Sequence, residues 1–265
     1  MTRASITSTR NPQLKAVRRL RRRRARGSEG VFLAEGHRQL EFALAAGARV
    51  VEVYTAPALY LGDADEQLIV LARQRGARIV ELGADAFESI SGQARPDGLA
   101  AVVERPPTGL TRLPLGSLLL VAAGIERPGN LGTIVRTADA AGAGGLLVCD
   151  ARTDLFHPDT VRGAVGTLFS LPLAETTTEA ALAWLGGHGA RVAAATPDGA
   201  RPYWEANYRG SSVAVVVGGE RYGLDPRWID AADETVQIPM AGRADSLNVA
   251  VAAGIVLFEA ARQRS

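Results

Sequence analysis

Three polar clusters in the second half of this chain stand out against apolar surroundings, and they carry the residues able to do chemistry. The first is Glu126-Arg-Pro-Gly-Asn-Leu-Gly-Thr-Ile-Val-Arg136. Pro128-Gly129 turns the chain, and Asn130 is placed to cap a helix beginning at Leu131. Gly132 permits close approach of a ligand or another backbone. Arg136 falls mid-helix on a different face from Asn130, yet a long guanidinium can curl back towards the helix start. The second cluster is Val215-Val-Val-Gly-Gly-Glu-Arg-Tyr-Gly-Leu224. A strand runs into Gly218-Gly219, where bare backbone can meet a ligand, and Glu220 sits at the strand's mouth. This is a weak nucleotide-type signal and not a G-x-G-x-x-G fingerprint. The third runs from Ile238 to Gly254, with Ser246 and Asn248 as polar exceptions in the first turn of an apolar helix opening at Asp245-Ser246. Either Asp245 or Ser246 caps that helix while Asn248 packs quietly, or Ser246 and Asn248 face a ligand together with the helix's unpaired backbone donors. There is no Walker P-loop, no metal-ligand spacing and no nucleophile–histidine pair, and His37, His157 and His188 are too scattered to form a set.

The elements that must position these clusters alternate. Strands are predicted at Leu118–Ala122, Leu146–Cys149, Arg191–Ala195, Val213–Val217 and Thr235–Pro239. Helices are predicted at Leu131–Ala141, Pro158–Leu168, Glu179–Leu185 and Leu247–Arg262. The last is apolar almost all round and is expected to be buried. Short apolar strands alternating with helices give an α/β fold with a parallel sheet covered on both faces. Such sheets hold ligands beyond the carboxyl ends of their strands, where the three clusters fall.

The first half reads differently. Residues 28–105 form a small α/β unit, with strands at Val31–Ala34, Val50–Thr55, Arg78–Leu82 and Leu99–Val103 and helices at His37–Ala46 and Asp65–Arg75. Residues 106–116, rich in Pro and Gly, read as a linker to a second domain over 117–265. Residues 1–27 are strongly basic. Arg3, Arg10, Lys15, Arg18, Arg19, Arg21, Arg22, Arg23, Arg24 and Arg26 are ten of the chain's 30 Lys and Arg, and no acid accompanies them. The remainder therefore holds 20 bases against 28 acids, a net of −8, although the whole chain is +2. A basic arm on an acidic body points to a polyanion, usually nucleic acid, or else to a solvated tail. With no aromatics interleaved, its expected contacts are phosphates, through Arg18, Arg19, Arg21, Arg22, Arg23 and Arg24. A hydrophobic content of 47% is ample for a core. The single cysteine, Cys149, excludes a disulfide framework and fits a reducing compartment. No apolar run is long enough to span a membrane and no signal peptide is recognisable, so the cytoplasm is the expected setting.

Taken together, Asn130…Arg136, Gly219-Glu220…Gly223-Leu224 and Ile238-Pro-Met…Ser246-Leu-Asn248 closely resemble the three motifs of the SpoU/TrmH family. That family comprises S-adenosylmethionine-dependent RNA ribose 2′-O-methyltransferases of the SPOUT superfamily. The unit at 28–105 resembles the substrate-binding domain of the ribosomal-RNA branch, through Glu35-Gly36 and Gly47…Val53, while Pro96-Asp97-Gly98 stands where a Gln-Gly pair is common. The resemblance implies a parallel-sheet methyltransferase domain whose C-terminal segment forms a trefoil knot, a topology that sequence physics alone would never suggest. It implies that S-adenosylmethionine is held at Thr196, Pro197, Gly219, Ile238, Met240 and Leu247. It implies that Arg136 acts on the ribose hydroxyl, with Asn130, Glu220, Ser246 and Asn248 orienting Arg136 and the ribose. A guanidinium is protonated near neutral pH, so binding the adjacent phosphate and polarising the hydroxyl is preferred to literal general-base action. The resemblance further implies a homodimer, an RNA partner and no metal. Ribosomal RNA, most naturally 23S, is favoured, with transfer RNA methylation or a non-catalytic RNA-binding protein as alternatives. The nucleotide modified, and a housekeeping as against an antibiotic-resistance role, stay open.

Overall fold

A computed structural model of the chain describes residues 5–62 and 64–265; Arg3, one of the ten basic residues, lies outside the described residues. The chain divides into two compact units. The first holds the chain up to Pro106 together with Phe156–Ser170, and the second holds Pro107–Leu155 and Leu171–Ser265.

In the first unit, helices α1 (Pro12–Arg19) and α2 (Arg23–Glu29) precede strand β1 (Val31–Glu35). Helix α3 (His37–Ala45), β2 (Val50–Thr55), α4 (Ala64–Gln74), β3 (Arg78–Glu81), α5 (Ala84–Glu88) and β4 (Leu99–Glu104) follow. The sheet order is β1-β4-β2-β3, with β4 antiparallel to both neighbours and β2 parallel to β3. The basic segment is not a free arm. Leu14, Val17 and Leu20, spaced for one helix face, are buried in the same core as Leu33, Tyr54, Phe87 and Val102. Asn11 caps α1, its Oδ1 accepting the Gln13 amide at 2.8 Å. Arg26 is itself buried and donates to the Leu20 carbonyl at 2.7 Å. The density of arginines hides this short apolar stripe in the sequence.

The second unit runs β5 (Leu118–Ala123), α6 (Pro128–Ala140), β6 (Gly145–Cys149), and then, past the segment containing α7 (Pro158–Ala164), β7 (Leu173–Thr176). It continues α8 (Thr178–Gly187), β8 (Arg191–Ala195), β9 (Arg201–Pro202), β10 (Val213–Val217), α9 (Pro226–Asp230), β11 (Glu234–Gln237) and α10 (Val249–Arg264). The seven strands form one parallel sheet in the order β7-β6-β5-β10-β8-β11-β9. Its central strands β5, β6 and β10 are buried along their whole length, as expected of a sheet covered on both faces, while β11 and β9 at one edge are mostly half-buried or exposed. The stretch read as a linker contributes to this core: Leu110–Arg112 is a 3-10 turn, and Leu113 packs with Leu119, Leu147 and Trp228. Cys149 is buried, and burial pushes its thiol up to about 12, so it is chemically inert.

Residues 156–170, predicted as part of the 117–265 domain, pack in the first unit. Phe156 and Phe169 lie 4.9 and 5.9 Å from the ring of Phe32. Gln39 donates to the Val161 carbonyl at 2.8 Å. Gly166 (φ +92°) sits against Phe42, where a Cβ would come within 2.6 Å of the ring. Aromatic residues spaced far apart in sequence make this core, which helix periodicity does not reveal.

Candidate active site

The three polar clusters follow the carboxyl ends of β5, β10 and β11 and converge there. Helix α6 begins at Pro128, earlier than predicted, which places Asn130 inside the first turn. Asn130 does not cap it; the N-cap residue is Arg127, which makes no side-chain cap. The Glu220 carboxylate instead holds the entry to the helix. It accepts the Glu126 amide at 2.9 Å, the Arg127 amide at 3.2 Å and the Asn130 Nδ2 at 2.7 Å. Partial burial pushes this carboxyl upward, but the Glu126 amide and the Asn130 side chain, with further backbone donors, outweigh it and hold it below its ordinary value. Asn130 then accepts from Asn248, Nδ2 to Oδ1, at 3.0 Å. Asn248 is the N-cap of α10, its Oδ1 accepting the Ala250 amide at 2.9 Å. One residue from each cluster therefore joins a single hydrogen-bonded chain, Glu220–Asn130–Asn248.

Two corrections follow for the third cluster. Strand β11 ends at Gln237, so Ile238 and Pro239 already belong to the loop, and α10 opens at Val249 instead of at Asp245-Ser246. Asn248 outcompetes the two earlier residues because its carbonyl reaches the Ala250 amide while its amide reaches Asn130. Ser246 lies outside the chain of bonds; it is exposed and donates to the Asp245 carboxylate at 3.4 Å. Arg136 also stands apart. It is exposed on α6, about 9 Å along the axis from Asn130 by helix rise, and its side chain makes no hydrogen bond or ion pair among the described residues.

The glycines after β10 serve the fold first. A Cβ on Gly219 would lie 2.5 Å from the Gly124 carbonyl, and one on Gly218 would lie 2.3 Å from the Gly223 backbone. Gly219 and Gly223 exchange backbone bonds at 3.1 and 3.0 Å. This close meeting of the loops after β5 and β10 brings Glu220 to the amides of Glu126 and Arg127. Those two amides carry the site and have no sequence signal, because main-chain donors do not depend on residue type.

The other predicted positions sit on neighbouring loops. Thr196 and Pro197 follow β8, Gly219 follows β10, and Ile238, Met240 and Leu247 follow β11; these strands are neighbours in the order β10-β8-β11. The Thr196 amide donates to the Val236 carbonyl at 2.9 Å, fastening the first loop to β11. Met240 and Leu247 are apolar yet exposed. In the first unit, Arg18 donates to Ser89 and to the Thr9 carbonyl, Arg19 pairs with Glu29 at 2.8 Å, and Arg21 donates to the Ile90 carbonyl. Arg22, Arg23 and Arg24 are exposed at the start of α2.

Residues 117–258 match the SpoU rRNA Methylase family, the stretch that contains the whole Glu220–Asn130–Asn248 chain. The protein belongs to the SpoU family. Residues 11–101 match the MRM3-like substrate binding domain, so a SpoU methylase domain is joined here to a second recognisable one. The chain is 31% identical over 253 residues to the 23S rRNA (guanosine(2553)-2'-O)-methyltransferase RlmP of Bacillus subtilis, covering 96% of this chain and 97% of that one. It is 38% identical over 181 residues to the 23S rRNA (uridine(2479)-2'-O)-methyltransferase of Streptomyces viridochromogenes, covering 64% and 61%. Among solved structures, an AdoMet-bound rRNA methyltransferase from Sinorhizobium meliloti superposes with TM-score 0.88 at 33% identity, covering 98% and 97%. The SpoU relatives are thus ribose 2′-O-methyltransferases, and S-adenosylmethionine is the cofactor held in their structures. Among the described residues, no helix is long and apolar enough to cross a membrane.

Proposed function

We propose that this protein transfers the methyl group of S-adenosylmethionine to a ribose 2′-hydroxyl of 23S ribosomal RNA. The observation that carries this reading is the bonded chain Glu220–Asn130–Asn248, which joins the three motifs at the carboxyl ends of a parallel sheet. Relatives that act on ribosomal RNA align with both units, whereas a transfer RNA 2-OH methylation structure covers 55% of this chain. That difference favours ribosomal over transfer RNA, and work on the ribosome sets the protein in the cytoplasm. Incubating the protein with labelled S-adenosylmethionine and either 23S or transfer RNA tests the reading; label entering transfer RNA alone would overturn it.

The cofactor loops suit an adenosyl ligand. The exposed apolar side chains of Met240 and Leu247 offer cover for the faces of an adenine ring, and Gly219 sets the close-packed loop after β10 beside them. Thr196, Pro197 and Ile238 complete the set. When bound, the cofactor supplies an activated methyl group on a sulfonium, so the protein's task is to place the hydroxyl and ease its proton loss. The Glu220–Asn130–Asn248 chain fixes the starts of α6 and α10. Arg136, whose side chain has no hydrogen-bond or ion-pair partner among the described residues, takes the phosphate beside the ribose and polarises the hydroxyl, with proton loss to that phosphate or to water. Ser246 orients the ribose. No metal enters this scheme. The C-terminal segment is further read as knotted, because after β11 it returns to bond Asn130 beside β5; an experimental backbone trace with no knot would refute that.

The first unit binds the RNA, and its exposed arginines grip phosphates. Deleting the basic segment would strip Leu14, Val17 and Leu20 from the core, so charge substitution is the cleaner test. With Arg22, Arg23 and Arg24 all changed to alanine, the slope of log K against log salt for RNA binding is expected to flatten by about 2. Cofactor affinity is expected to stay unchanged. Superimposable salt slopes would remove these residues from RNA binding.

The working form is a homodimer. Helix α10 is not buried all round as predicted: Val251 and Phe258, seven residues apart on one face, are each 51% exposed, with Leu247 leading into the same stripe. An apolar stripe of this kind on a soluble helix suits a self-complementary interface. Light scattering at micromolar concentration is expected to give a dimer, and Phe258→Asp a monomer with little activity. An active monomeric wild type would contradict this.

A further inference from the structure

Beside the Glu220 chain lies a cavity of about 340 Å³ at the carboxyl ends of β5, β6 and β10, lined by Gly124, Glu126, Asp150, Arg152, Gly219 and Tyr222 among others. Tyr222 is 66% exposed, so its ring contributes little to the core. Two guanidiniums attend it: Arg152 lies 5.5 Å and Arg221 5.2 Å from the ring centroid. Arg152 is also held by the Glu126 carboxylate at 3.2 Å. Glu126 is the link to the site, because its own amide donates to Glu220 at 2.9 Å. The platform is therefore one residue away from the bonded chain on one side and two residues from Glu220 along the sequence on the other.

We propose that Tyr222, with Arg152 and Arg221, forms a stacking platform for an unpaired RNA base next to the ribose that is methylated. This rests on the reading of the protein as an RNA ribose methyltransferase. An exposed ring flanked by guanidiniums matches the way single-stranded RNA is held, through base–aromatic stacking and cationic contact with the adjoining phosphates. The cavity lies within the size range of small-molecule sites, and a nucleobase is small enough to enter it. A ribose in a continuous helix presents its 2′-hydroxyl poorly to a deep site. Drawing one base out of the stack onto Tyr222 would hold the neighbouring ribose still beside Glu220 and Asn130. Phosphate contacts from the first unit position RNA without reading bases, so this platform is where base identity or unpairing is sensed.

The test compares wild type, Tyr222→Ala and Tyr222→Phe. An RNA oligonucleotide carrying one unpaired 2-aminopurine reports stacking by fluorescence quenching, and methyl transfer to 23S RNA gives kcat and KM. Tyr222→Ala is expected to weaken quenching and binding and to raise KM for RNA roughly tenfold or more. Its S-adenosylmethionine affinity and melting temperature are expected to match wild type. Tyr222→Phe, which keeps the ring, is expected to restore quenching and KM. Equal quenching and KM in Tyr222→Ala and wild type would overturn the platform, and so would a Tyr222→Phe as impaired as Tyr222→Ala. Absence of transfer by wild type to any RNA would refute the ribose-methylation reading by itself. The platform would then be decided by the quenching difference alone.

Discussion

Changing Arg136 to alanine is expected to lower methyl transfer by about 10²- to 10⁴-fold, the range set by losing one positioned charge or proton-handling group. Little else should change. The side chain is exposed and unpartnered among the described residues, so stability should stay within about 0.5 kcal/mol of wild type. S-adenosylmethionine affinity should also be preserved, because the loops proposed to hold the cofactor follow β8, β10 and β11 while Arg136 sits on α6. Arg136→Lys keeps the charge but loses the planar fork that grips a phosphate, so it should recover only part of the rate. Calorimetry beside a transfer assay reads both quantities. Near-normal turnover in the alanine variant would take Arg136 out of the mechanism.

Changing Glu220 to glutamine should damage both fold and activity. Its two oxygens face three donors, and either orientation of the amide turns a donor towards a donor. The expected loss is about 1–3 kcal/mol of stability, towards the low end because the carboxylate is only partly buried, with transfer reduced about 10²-fold. The acid response gives a separate signature. This carboxyl lies below its ordinary value of 4.5, so its contribution is complete above about pH 4.5 and is lost as pH falls through the lower folded value. Wild type should lose stability faster than Glu220→Gln across that acid window. Parallel stability curves for the two proteins would show that the carboxylate is not held as described.

Much of the second unit was legible because its strands are short, apolar and buried on both faces; Arg191–Ala195 and Val213–Val217 stand where periodicity puts them. The convergence of Asn130, Glu220 and Asn248 followed from the rule that loops at strand carboxyl ends gather. What was not legible depends on contacts rather than patterns. Asn130 reads as a cap because Asn favours that position, yet Glu220, ninety residues away, holds the helix entry in its place. Helix α1 does not show in the sequence because Leu14 and Val17 sit in a segment crowded with basic residues. The exposed face of α10 does not show in the sequence, because an apolar helix reads the same whether all of its faces or only some are covered by its own chain. Short strands such as β7 and β9 carry too few residues to show a period.

Ribose methylation is read out by mapping 2′-O-methyl groups along 23S ribosomal RNA. Unmodified RNA would be incubated with S-adenosylmethionine and either wild type or Arg136→Ala. Wild type is expected to leave a 2′-O-methyl group at a defined ribose, and the variant none there. A methyl group on a base instead of a ribose, or an RNA left unmodified by wild type, would contradict it.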